Sequence, residues 1–567
     1  MLNFRLWIAA LSLLAISMAV AKVRPEAEDP TLVRAKRAAV ITDRAVQYLA
    51  NHQTDGLVKV WVYFTDKGIF NKAQLQQAAQ LVDAGMTERA KARRLKHGVS
   101  DVKFTDLPVY ARYVDQLTQQ GARVLRTSKW LNAAAIEIQP YRLGSLATAE
   151  FVASIEPAVA MKRSLPAEEP LKGDAPVEKQ ALGTHALSYG NSLTQLAQIN
   201  VPVCHDSGYA GQGMIISMFD TGFRKTHNSF ANAYLDGRVL AEWDFVYNDG
   251  NVANEAADWS SAWSHGTSTW STSGGENPGV HYGPAYEASF ILCKTEDVRD
   301  ETIQEEYNWV AAIEWVDSIG TDIVSSSLGY TDWYTAPDYD GNTCVTTVAA
   351  DIAAANGILV VNSAGNSGPS ASTLGAPADA DSIVTVGAVS SSGAIVSFSS
   401  RGPTADGRIK PEVCAQGSSV SVASSGGDAS YTFSSGTSFS CPLTAGVAAI
   451  VWGGHPTWTN MQVREALMMT ASQSATPDNN YGWGIVNAWA ALHYSYAPAF
   501  MPGDADGNGK ITVSDPVYMI NYIFSGGTPP APTSSGDADC SGSLSISDAV
   551  YLINFIFAGG PAPALCL

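Results

Sequence analysis

The stretch that decides the fold is Met214-Ile215-Ile216-Ser217-Met218-Phe219-Asp220-Thr221-Gly222. Its first six residues are almost all apolar, which is typical of a strand covered on both faces in a parallel sheet. Similar apolar runs occupy residues 322–327, 357–362 and 382–387, and helical patterns occupy residues 302–319 and 346–355. This alternation predicts an α/β domain with a doubly wound parallel sheet. Asp220 then stands at the carboxyl end of its strand, where such sheets place functional groups.

The length and charge of the chain exclude several classes of protein. Its 567 residues are too many for one hydrophobic core, so we expect three or four domains. The formal net charge of -19 argues against nucleic acid or an anionic membrane as the partner, because those surfaces attract basic proteins. We expect part of the acidity to serve as calcium ligands, and we expect no organic cofactor.

The amino terminus has the pattern of an export signal. Arg5 supplies a positive charge, residues 6–20 are almost all apolar, and Ala19-Val20-Ala21 is a small-residue cleavage site. Residues 1–21 are therefore predicted to be a signal peptide on a secreted, extracellular protein. A membrane anchor is the alternative, but the apolar stretch is shorter than the roughly 20 residues that span a bilayer. Outside the cell seven cysteines leave at least one unpaired, and the apolar run around Cys293 indicates a buried thiol.

Residues 22–185 are predicted to form a small α+β domain followed by a linker. Residues 58–64 alternate like a half-buried strand, residues 121–126 and 135–138 are shorter strand candidates, and residues 108–119 have helical spacing. Residues 163–180, rich in Pro, Glu and Lys, indicate an exposed connection that could be cut during maturation. A basic run is interpreted as one solvated helix face rather than a binding site; it comprises Arg89, Lys91, Arg93, Arg94 and Lys96.

Three short segments carry an aspartate, a histidine and a serine in an order that suits nucleophilic catalysis. They are Asp220-Thr221-Gly222, His265-Gly266-Thr267 and Gly436-Thr437-Ser438-Phe439-Ser440-Cys441-Pro442. Ser438 is a weak nucleophile unless a base takes its proton, and His265 is the natural base because imidazole titrates near neutrality. Asp220 would fix the imidazole tautomer. Asn366 could donate to the oxygen that becomes negative, although alone it would be interpreted as a turn residue.

These segments and further motifs resemble the subtilisin-like serine proteases, or subtilases, over about residues 190–495. The further motifs are Ser327-Leu328-Gly329, Ser363-Ala364-Gly365-Asn366, and residues 398–404 leading into 406–413. The resemblance implies a secreted serine endopeptidase made as a zymogen, with residues 22–185 as propeptide and linker and residues 186–496 as catalytic domain. Asp220, His265, Ser438 and Asn366 would be its catalytic residues.

The resemblance also implies a substrate cleft in which an extended peptide pairs as an added strand. Its residues would be Ser327, Leu328, Gly329, Ser363, Ala364 and Gly365, and their small size predicts broad specificity with a hydrophobic bias. Two departures from the family are a polar and aromatic run at residues 268–272, where small apolar residues are usual, and Cys441 close after Ser438. The alternative function is a catalytically inactive protease scaffold that acts as a binding or adhesion protein, which the intact set of catalytic residues disfavours.

Residues 502–567 contain two twelve-residue calcium loops. The loops begin at Asp504 and Asp537, an offset of 33 residues, and the helical sequences 517–524 and 550–557 repeat as well. The predicted ligands are Asp504, Asp506, Asn508, Lys510 and Asp515 in the first loop, and Asp537, Asp539, Ser541, Ser543 and Asp548 in the second.

This duplicated loop and helix closely resembles a dockerin, a small all-α, EF-hand-like module, with aspartate in place of the final glutamate of the EF-hand. A dockerin implies bound calcium and a cohesin-type partner, which would tether the protease to a surface or an assembly. An intramolecular stabilising or secretion-related module is the alternative. For either loop alone, an acidic turn that binds nothing is the alternative. The sequence leaves open whether the catalytic domain also binds calcium.

Overall fold

The computed structural model describes residues 40–51, 56–158, 185–299, 304–331, 334–495 and 500–564. The predicted signal peptide at residues 1–21 and the predicted linker at residues 163–180 lie outside the described residues. The chain divides into two compact units, residues 1–493 and 494–567, and each is described by itself. Within the described ranges, no helix combines the length and the hydropathy that a bilayer crossing requires.

The N-terminal part of the first unit is an α+β layer built on a four-stranded antiparallel sheet. Its strands are β1 (Val58–Phe64), β2 (Arg123–Ser128), β3 (Ala133–Ile138) and β4 (Val152–Pro157), in the order β2-β3-β1-β4. Its helices are α1 (Asp43–Asn51), α2 (Lys72–Gly85), α3 (Glu88–Lys96), α4 (Ala111–Gln119) and α5 (Leu143–Ala147). Val60 and Val62 of β1 enter one core with residues of α4 and α5, because alternate strand residues point to the same face. The predicted strand at residues 58–64 and helix at residues 108–119 are confirmed.

The interpretation of the basic run as a solvated helix face is wrong. In α3 the side chains of Arg93 and Arg94 are only 2% and 4% exposed, and both bind the carboxylate of Asp317. Asp317 lies 224 residues beyond Arg93 in the chain, so no local pattern in the sequence reveals the pairing. Lys91 does behave as predicted, since its ammonium pairs with carboxylates near the surface.

The rest of the first unit is built on a seven-stranded sheet in which every pairing is parallel. Its order is β13-β12-β11-β10-β5-β9-β6. The strands of this region, two short hairpins included, are β5 (Ile215–Asp220), β6 (Val239–Asp244), β7 (Glu276–Asn277), β8 (His281–Tyr282), β9 (Ser289–Lys294), β10 (Ile323–Ser326), β11 (Leu359–Ser363), β12 (Val384–Val389), β13 (Val413–Gln416), β14 (Val420–Ala423) and β15 (Tyr431–Ser434).

Helices cover both faces of the parallel sheet, which confirms the predicted α/β class. They are α6 (Leu193–Gln198), α7 (Val201–Asp206), α8 (Ala231–Leu235), α9 (Ser264–Gly274), α10 (Gln304–Ile319), α11 (Val345–Ala355), α12 (Thr437–Gly454), α13 (Asn460–Met469) and α14 (Ala488–Leu492). Helices α10 and α11 share a core with Phe219, Val324 and Val360 on one face. Helix α12 packs against strands β10 to β13 on the other face.

The carboxyl ends of the parallel strands meet at one edge of the sheet. Asp220 ends β5, Ser326 ends β10 and Ser363 ends β11. The register pairs Ser326 with Phe219 of β5 and with Asn362 of β11. The segments that follow these three strands therefore start side by side, and this is the edge at which the candidate site lies.

The second unit repeats one loop and one helix twice. Its helices are α15 (Ser514–Ser525) and α16 (Ile546–Ala558), and Met519 packs with Ala549 in a small core. Each helix is followed by a glycine, Gly526 or Gly559, with a φ of 69°. That left-handed conformation ends a helix without strain when the residue is glycine. The repeat in the sequence is thus also a repeat in the structure.

Candidate active site

The carboxylate of Asp220 is buried and holds the imidazole of His265. Asp220 is 1% exposed, and its Oδ1 lies 2.7 Å from Nδ1 of His265. Oδ1 also accepts the backbone N–H of Thr221 at 2.8 Å, and Oδ2 accepts the hydroxyl of Thr269 at 2.8 Å. Because a carboxylate only accepts hydrogen bonds, Nδ1 of His265 carries the proton and Nε2 presents its lone pair.

A close approach of α9 to the end of β5 brings these two residues together, and glycine makes it possible. Gly266 is the third residue of α9, directly after His265. A Cβ atom at Gly266 would lie 2.1 Å from the carbonyl oxygen of Gly222 and 3.1 Å from Cβ of Asp220. Any larger residue would push the helix away from the strand and pull the imidazole from the carboxylate.

Ser438 lies at the amino end of α12. It is the second residue of that helix and is half-buried. The ring of Phe439, the next residue, has its centroid 6.1 Å from that of His265. The backbone carbonyl of Ser438 accepts the hydroxyl of Ser327 at 2.8 Å, which ties the start of α12 to the segment after β10. The free amide groups and the dipole of an 18-residue helix make this position favourable for negative charge.

The side chain of Asn366 is oriented by Thr437 and borders the same space. Its Oδ1 accepts the backbone N–H of Thr437 at 2.9 Å and the Thr437 hydroxyl at 3.0 Å. The amide group Nδ2 must therefore point the other way. A Cβ atom at Gly436 would lie 3.6 Å from Nδ2 of Asn366 and 3.7 Å from the backbone nitrogen of Ser438. Nδ2 of Asn366 and the backbone nitrogen of Ser438 thus both border the space beside Gly436 that a side chain would otherwise fill.

The segments predicted to line a substrate cleft follow β10 and β11 at the same edge. Asn362 joins them, because its Nδ2 donates to the carbonyl of Leu328 at 3.1 Å and to that of Ser363 at 2.8 Å. The remaining members of the predicted set flank these positions: Ser327 and Gly329 in the first segment, Ala364 and Gly365 in the second. Leu328, Ser363 and Ala364 are buried, whereas Gly329 and Gly365 are half-buried.

Sequence reasoning missed three residues that position this site: Thr269, Asn362 and Thr437. Thr269 is four residues after His265 on one helix, and that spacing places side chains on the same face. The sequence therefore held a signal for Thr269. Asn362 and Thr437 act through contacts between distant segments, for which the sequence holds no comparable signal.

Comparison with known proteins identifies the family of the chain. Residues 211–484 match the model of the subtilase family, and residues 59–172 match the peptidase S8 propeptide domain of Bacteroidota. Subtilisin E of Bacillus subtilis (strain 168) is 30% identical over 439 residues, which cover 76% of this chain and 98% of that protein. The subtilisin of Bacillus pumilus is 34% identical over 300 residues, 52% of this chain and 97% of that protein.

The chain belongs to the subtilase family. It is a serine-type endopeptidase that carries a propeptide, and the N-terminal α+β layer is the region that matches the propeptide model. A more distant relative is the serine protease AprX of Bacillus subtilis (strain 168), 28% identical over 340 residues, 55% of this chain and 73% of that protein. The propeptide match ends at residue 172 and the subtilase match at residue 484, before the C-terminal unit.

The unusual residues near the site of this subtilase are accommodated by packing. Trp270 is buried and stacks on Phe230 with ring centroids 3.7 Å apart and planes 6° from parallel. Five positions along the helix rotate Trp270 by about 140° from His265, so its ring fills space behind the helix and not the site. Cys441 is buried, and burial raises the pKa of its thiol to about 12. Cys441 therefore stays protonated and does not compete with Ser438 as a nucleophile.

Among the described residues, the cysteines of the first unit are free thiols, whereas the cysteine of the second unit is disulfide-bonded. Cys204, Cys293, Cys344, Cys414 and Cys441 are free and buried, which confirms the prediction for Cys293. Cys540, in the second acidic loop, is disulfide-bonded.

Two acidic clusters in the C-terminal unit have the donor chemistry of a cation site. One is Asp504, Asp506 and Asp515, and the other is Asp537, Asp539 and Asp548. In each cluster one carboxylate oxygen from every residue lies within 4.8 Å of the others. The other predicted ligands, Asn508, Lys510, Ser541 and Ser543, belong to the same loops. The two loops also share a hydrogen-bond pattern, because the first aspartate of each accepts the backbone N–H groups four and five residues later.

These clusters fit calcium by charge and by ligand type. Burial raises the pKa of Asp515 and Asp548, and neighbouring carboxylates raise it further. A divalent cation would relieve that repulsion, and carboxylate, amide, hydroxyl and backbone oxygens are the ligands that calcium prefers. A third acidic group in the catalytic domain, Asp244 with Asp249 and Glu255, is different, because the ammonium of Lys294 lies 2.9 Å from Asp244 and already balances its charge.

Proposed function

We propose that this subtilase is a secreted endopeptidase in which Asp220, His265 and Ser438 form a catalytic triad, with Asn366 in the oxyanion hole. The observation that carries the proposal is the 2.7 Å hydrogen bond between Asp220 and His265. Ser438 stands at a helix amino end, and the ring of the following Phe439 has its centroid 6.1 Å from that of His265. Residues 1–21 act as the signal peptide, residues 22–185 as propeptide and linker, and residues 186–496 as the catalytic domain.

Peptide hydrolysis follows from the roles of these side chains. Oγ of Ser438 attacks the scissile carbonyl carbon while Nε2 of His265 takes its proton, and Asp220 stabilises the imidazolium that results. The carbonyl oxygen becomes negative and accepts hydrogen bonds from the backbone N–H of Ser438 and from Nδ2 of Asn366. The C–N bond then breaks as His265 returns the proton to the leaving amine, which leaves an acyl ester on Ser438. Water hydrolyses the ester by the same steps.

The substrate is proposed to be an extended polypeptide lying between the segments after β10 and β11. Backbone groups of residues 327–329 and 363–365 would pair with it as neighbouring strands do. The small side chains of Gly329, Ala364 and Gly365 leave room for a sizeable apolar group, so specificity is broad with a hydrophobic bias. A digest of a peptide library tests this, since strict cleavage after basic residues would contradict it.

A pair of serine variants tests the catalytic proposal. Ser438→Ala removes the nucleophile, and the full-length precursor should persist with no hydrolysis of casein. Ser440→Ala is the matched control, because the Ser440 hydroxyl lies two residues further along α12 and donates only to the carbonyl of Thr437 among the described contacts. Normal processing of Ser438→Ala without hydrolysis of casein by the parent would instead favour an inactive scaffold trimmed by another protease. Undiminished casein hydrolysis by Ser438→Ala would contradict Ser438 as the nucleophile.

The C-terminal unit is proposed to be a dockerin-like module that binds two calcium ions and a cohesin-type partner. Asp504, Asp506 and Asp515 would hold one ion and their counterparts at 537, 539 and 548 the other, with remaining ligands from the same loops. Calcium would order the loops and fix the orientation of α15 and α16. The support is the repeated carboxylate cluster and its repeated hydrogen bonds.

Calorimetric titration of the full-length Ser438→Ala chain with calcium tests the metal sites. Two binding events are expected, one in Asp504→Ala and none in Asp504→Ala with Asp537→Ala. A pull-down with a cohesin, with calcium or with chelator, tests the partner. Calcium binding without cohesin capture would favour an intramolecular stabilising module, and no calcium binding would contradict both.

A further inference from the structure

One helix of the propeptide is bound to the catalytic domain far from the active site. Helix α3 contacts the segments that precede β5, β10 and β11, namely Gly213, residues 320–322 and Asn356. The catalytic residues follow the other ends of the same strands. The six residues of β5 alone separate the two edges by about 17 Å.

Arg93 is the centre of this contact, and its guanidinium binds only catalytic-domain atoms among the described contacts. Nη1 donates to the carbonyl of Thr321 at 2.6 Å, Nε to that of Asn356 at 3.2 Å, and Nη2 to the carbonyl and the carboxylate of Asp317. The planar fork of arginine matches such a set of fixed acceptors, whereas lysine offers a single point charge. Arg93 is therefore buried among acceptors of the catalytic domain that match its guanidinium group.

The carboxylate of Asp317 is shared between two arginines of α3. Its Oδ1 accepts from Arg93 and its Oδ2 from Arg94, whose other contacts are 2.7 Å hydrogen bonds to both carboxylate oxygens of Asp106 in the propeptide. Asp317 is 1% exposed with both arginines in place. Removal of the propeptide would leave this carboxylate without either cation.

The catalytic domain is also shaped to admit the helix. A Cβ atom at Gly320, whose φ is 101°, would lie 2.8 Å from the backbone nitrogen of Ala90. A Cβ atom at Gly357, whose φ is 89°, would lie 2.4 Å from Nδ1 of His97. Arg89 adds an ion pair with Asp322 and a 2.7 Å hydrogen bond to the carbonyl of Gly213.

We propose that Asp317, Asp322 and the carbonyls of Thr321 and Asn356 form an exosite, the arginine socket, that binds a helix with arginines at positions i, i+4 and i+5. Its occupant is α3 of the propeptide, and the socket keeps the propeptide on the protease after the chain is cut between them. The propeptide is thus held at two separate places, since its sheet packs on helix α10 while α3 fills the socket. The inference rests on the proposed function only in assuming that maturation cuts the linker.

Dissociation of a nicked chain tests the socket without requiring activity. The full-length Ser438→Ala chain is nicked with trypsin in the predicted linker at residues 163–180, trypsin is inhibited, and release of the propeptide is followed by size-exclusion chromatography. Arg93→Ala should speed release at least about thirtyfold, because it strands a buried carboxylate and carbonyls. Arg123→Ala is the matched control, since Arg123 pairs with Glu137 inside the propeptide, and should release at the parent rate.

Two further variants keep the test decisive if Arg93→Ala does not fold. Arg93→Lys retains the charge and loses the fork, and should release about tenfold faster than the parent. Asp317→Asn should also speed release, and combining it with Arg93→Lys should add little, because both remove one interaction. Release of the propeptide at the parent rate in Arg93→Lys, in Asp317→Asn and in their combination would overturn the proposal. If the chain with Ser438 intact shows no peptidase activity but the Arg93 variants still release the propeptide faster, the catalytic proposal is refuted and the arginine socket is not.

Discussion

Oδ1 of Asp220 accepts a hydrogen bond from Nδ1 of His265 at 2.7 Å, and Oδ2 of the same carboxylate accepts one from the hydroxyl of Thr269 at 2.8 Å. Both oxygens of a buried aspartate are thereby fixed by residues of α9. Because both oxygens of the carboxylate are held in place, the imidazole cannot rotate without breaking its hydrogen bond to Asp220. The hydrogen bonds therefore set both the tautomer and the position of the proposed general base.

Asp220→Asn should lower kcat by about 10³- to 10⁴-fold, because an amide nitrogen facing Nδ1 favours the wrong imidazole tautomer. Hydrolysis of a peptide ester or anilide measures the effect. Thr269→Val is the comparison, since it loses one hydrogen bond to Oδ2 and keeps the carboxylate, and should cost less than about tenfold. Activity of Asp220→Asn within tenfold of the parent would exclude the assigned role.

Asn366→Ala should lower kcat by about 10²- to 10³-fold with little change in KM, a range known for removal of one oxyanion-hole donor in a subtilisin. The ground-state carbonyl gains little from Nδ2, so binding is largely retained. Thr437→Val should give a smaller loss of kcat, because it removes one of the two contacts that orient Asn366 and leaves the backbone N–H in place. A change confined to KM would show that Asn366 binds substrate only.

Gly266→Ala should abolish activity and destabilise the catalytic domain by roughly 1 to 3 kcal/mol, because its Cβ would lie 2.1 Å from the carbonyl oxygen of Gly222. Thermal unfolding and casein hydrolysis measure the two effects. Gly250→Ala is the control, since no atom lies within 4 Å of a Cβ there. A fully active and equally stable Gly266→Ala variant would show that α9 tolerates displacement from β5.

His97 should make propeptide binding weaker in acid. Its Nδ1 donates to the carbonyl of Arg93 at 2.7 Å and its Nε2 accepts the backbone N–H of Asn460 at 2.9 Å, so the bound ring is neutral. Burial, together with the charges of Lys96 and Arg93, lowers the pKa of His97 to about 4. In the released propeptide the pKa of His97 should return to about 6.5. Proton uptake on release therefore favours dissociation as the pH falls from about 6.5 towards 4.

The nicked Ser438→Ala chain measures this effect directly. Propeptide affinity should be nearly constant above about pH 7 and about thirtyfold weaker at pH 5. His97→Gln keeps a polar side chain without the titration, and its affinity should change less between the two values. A parent affinity that rises in acid would contradict the assigned protonation state.

Much of the fold and the site follows from local sequence patterns, because those parts depend on local chemistry. The apolar run before Asp220 predicts a buried parallel strand, and that strand is β5. The places of Asp220 and Ser438 at a strand end and a helix start follow in the same way. The arginines of α3 could not be interpreted correctly, since burial of a charge depends on a partner such as Asp317, far along the chain. The stacking of Trp270 on Phe230 was equally hidden, because it depends on tertiary packing.

Labelling with a serine-directed phosphonate, followed by mass spectrometry of the peptides, tests the central claim most directly. The triad predicts one adduct, on Ser438, formed rapidly in the parent and at least about a thousandfold more slowly in His265→Ala, because the serine then lacks its base. Labelling at another residue, or labelling of Ser438 at an unchanged rate in His265→Ala, would contradict the account.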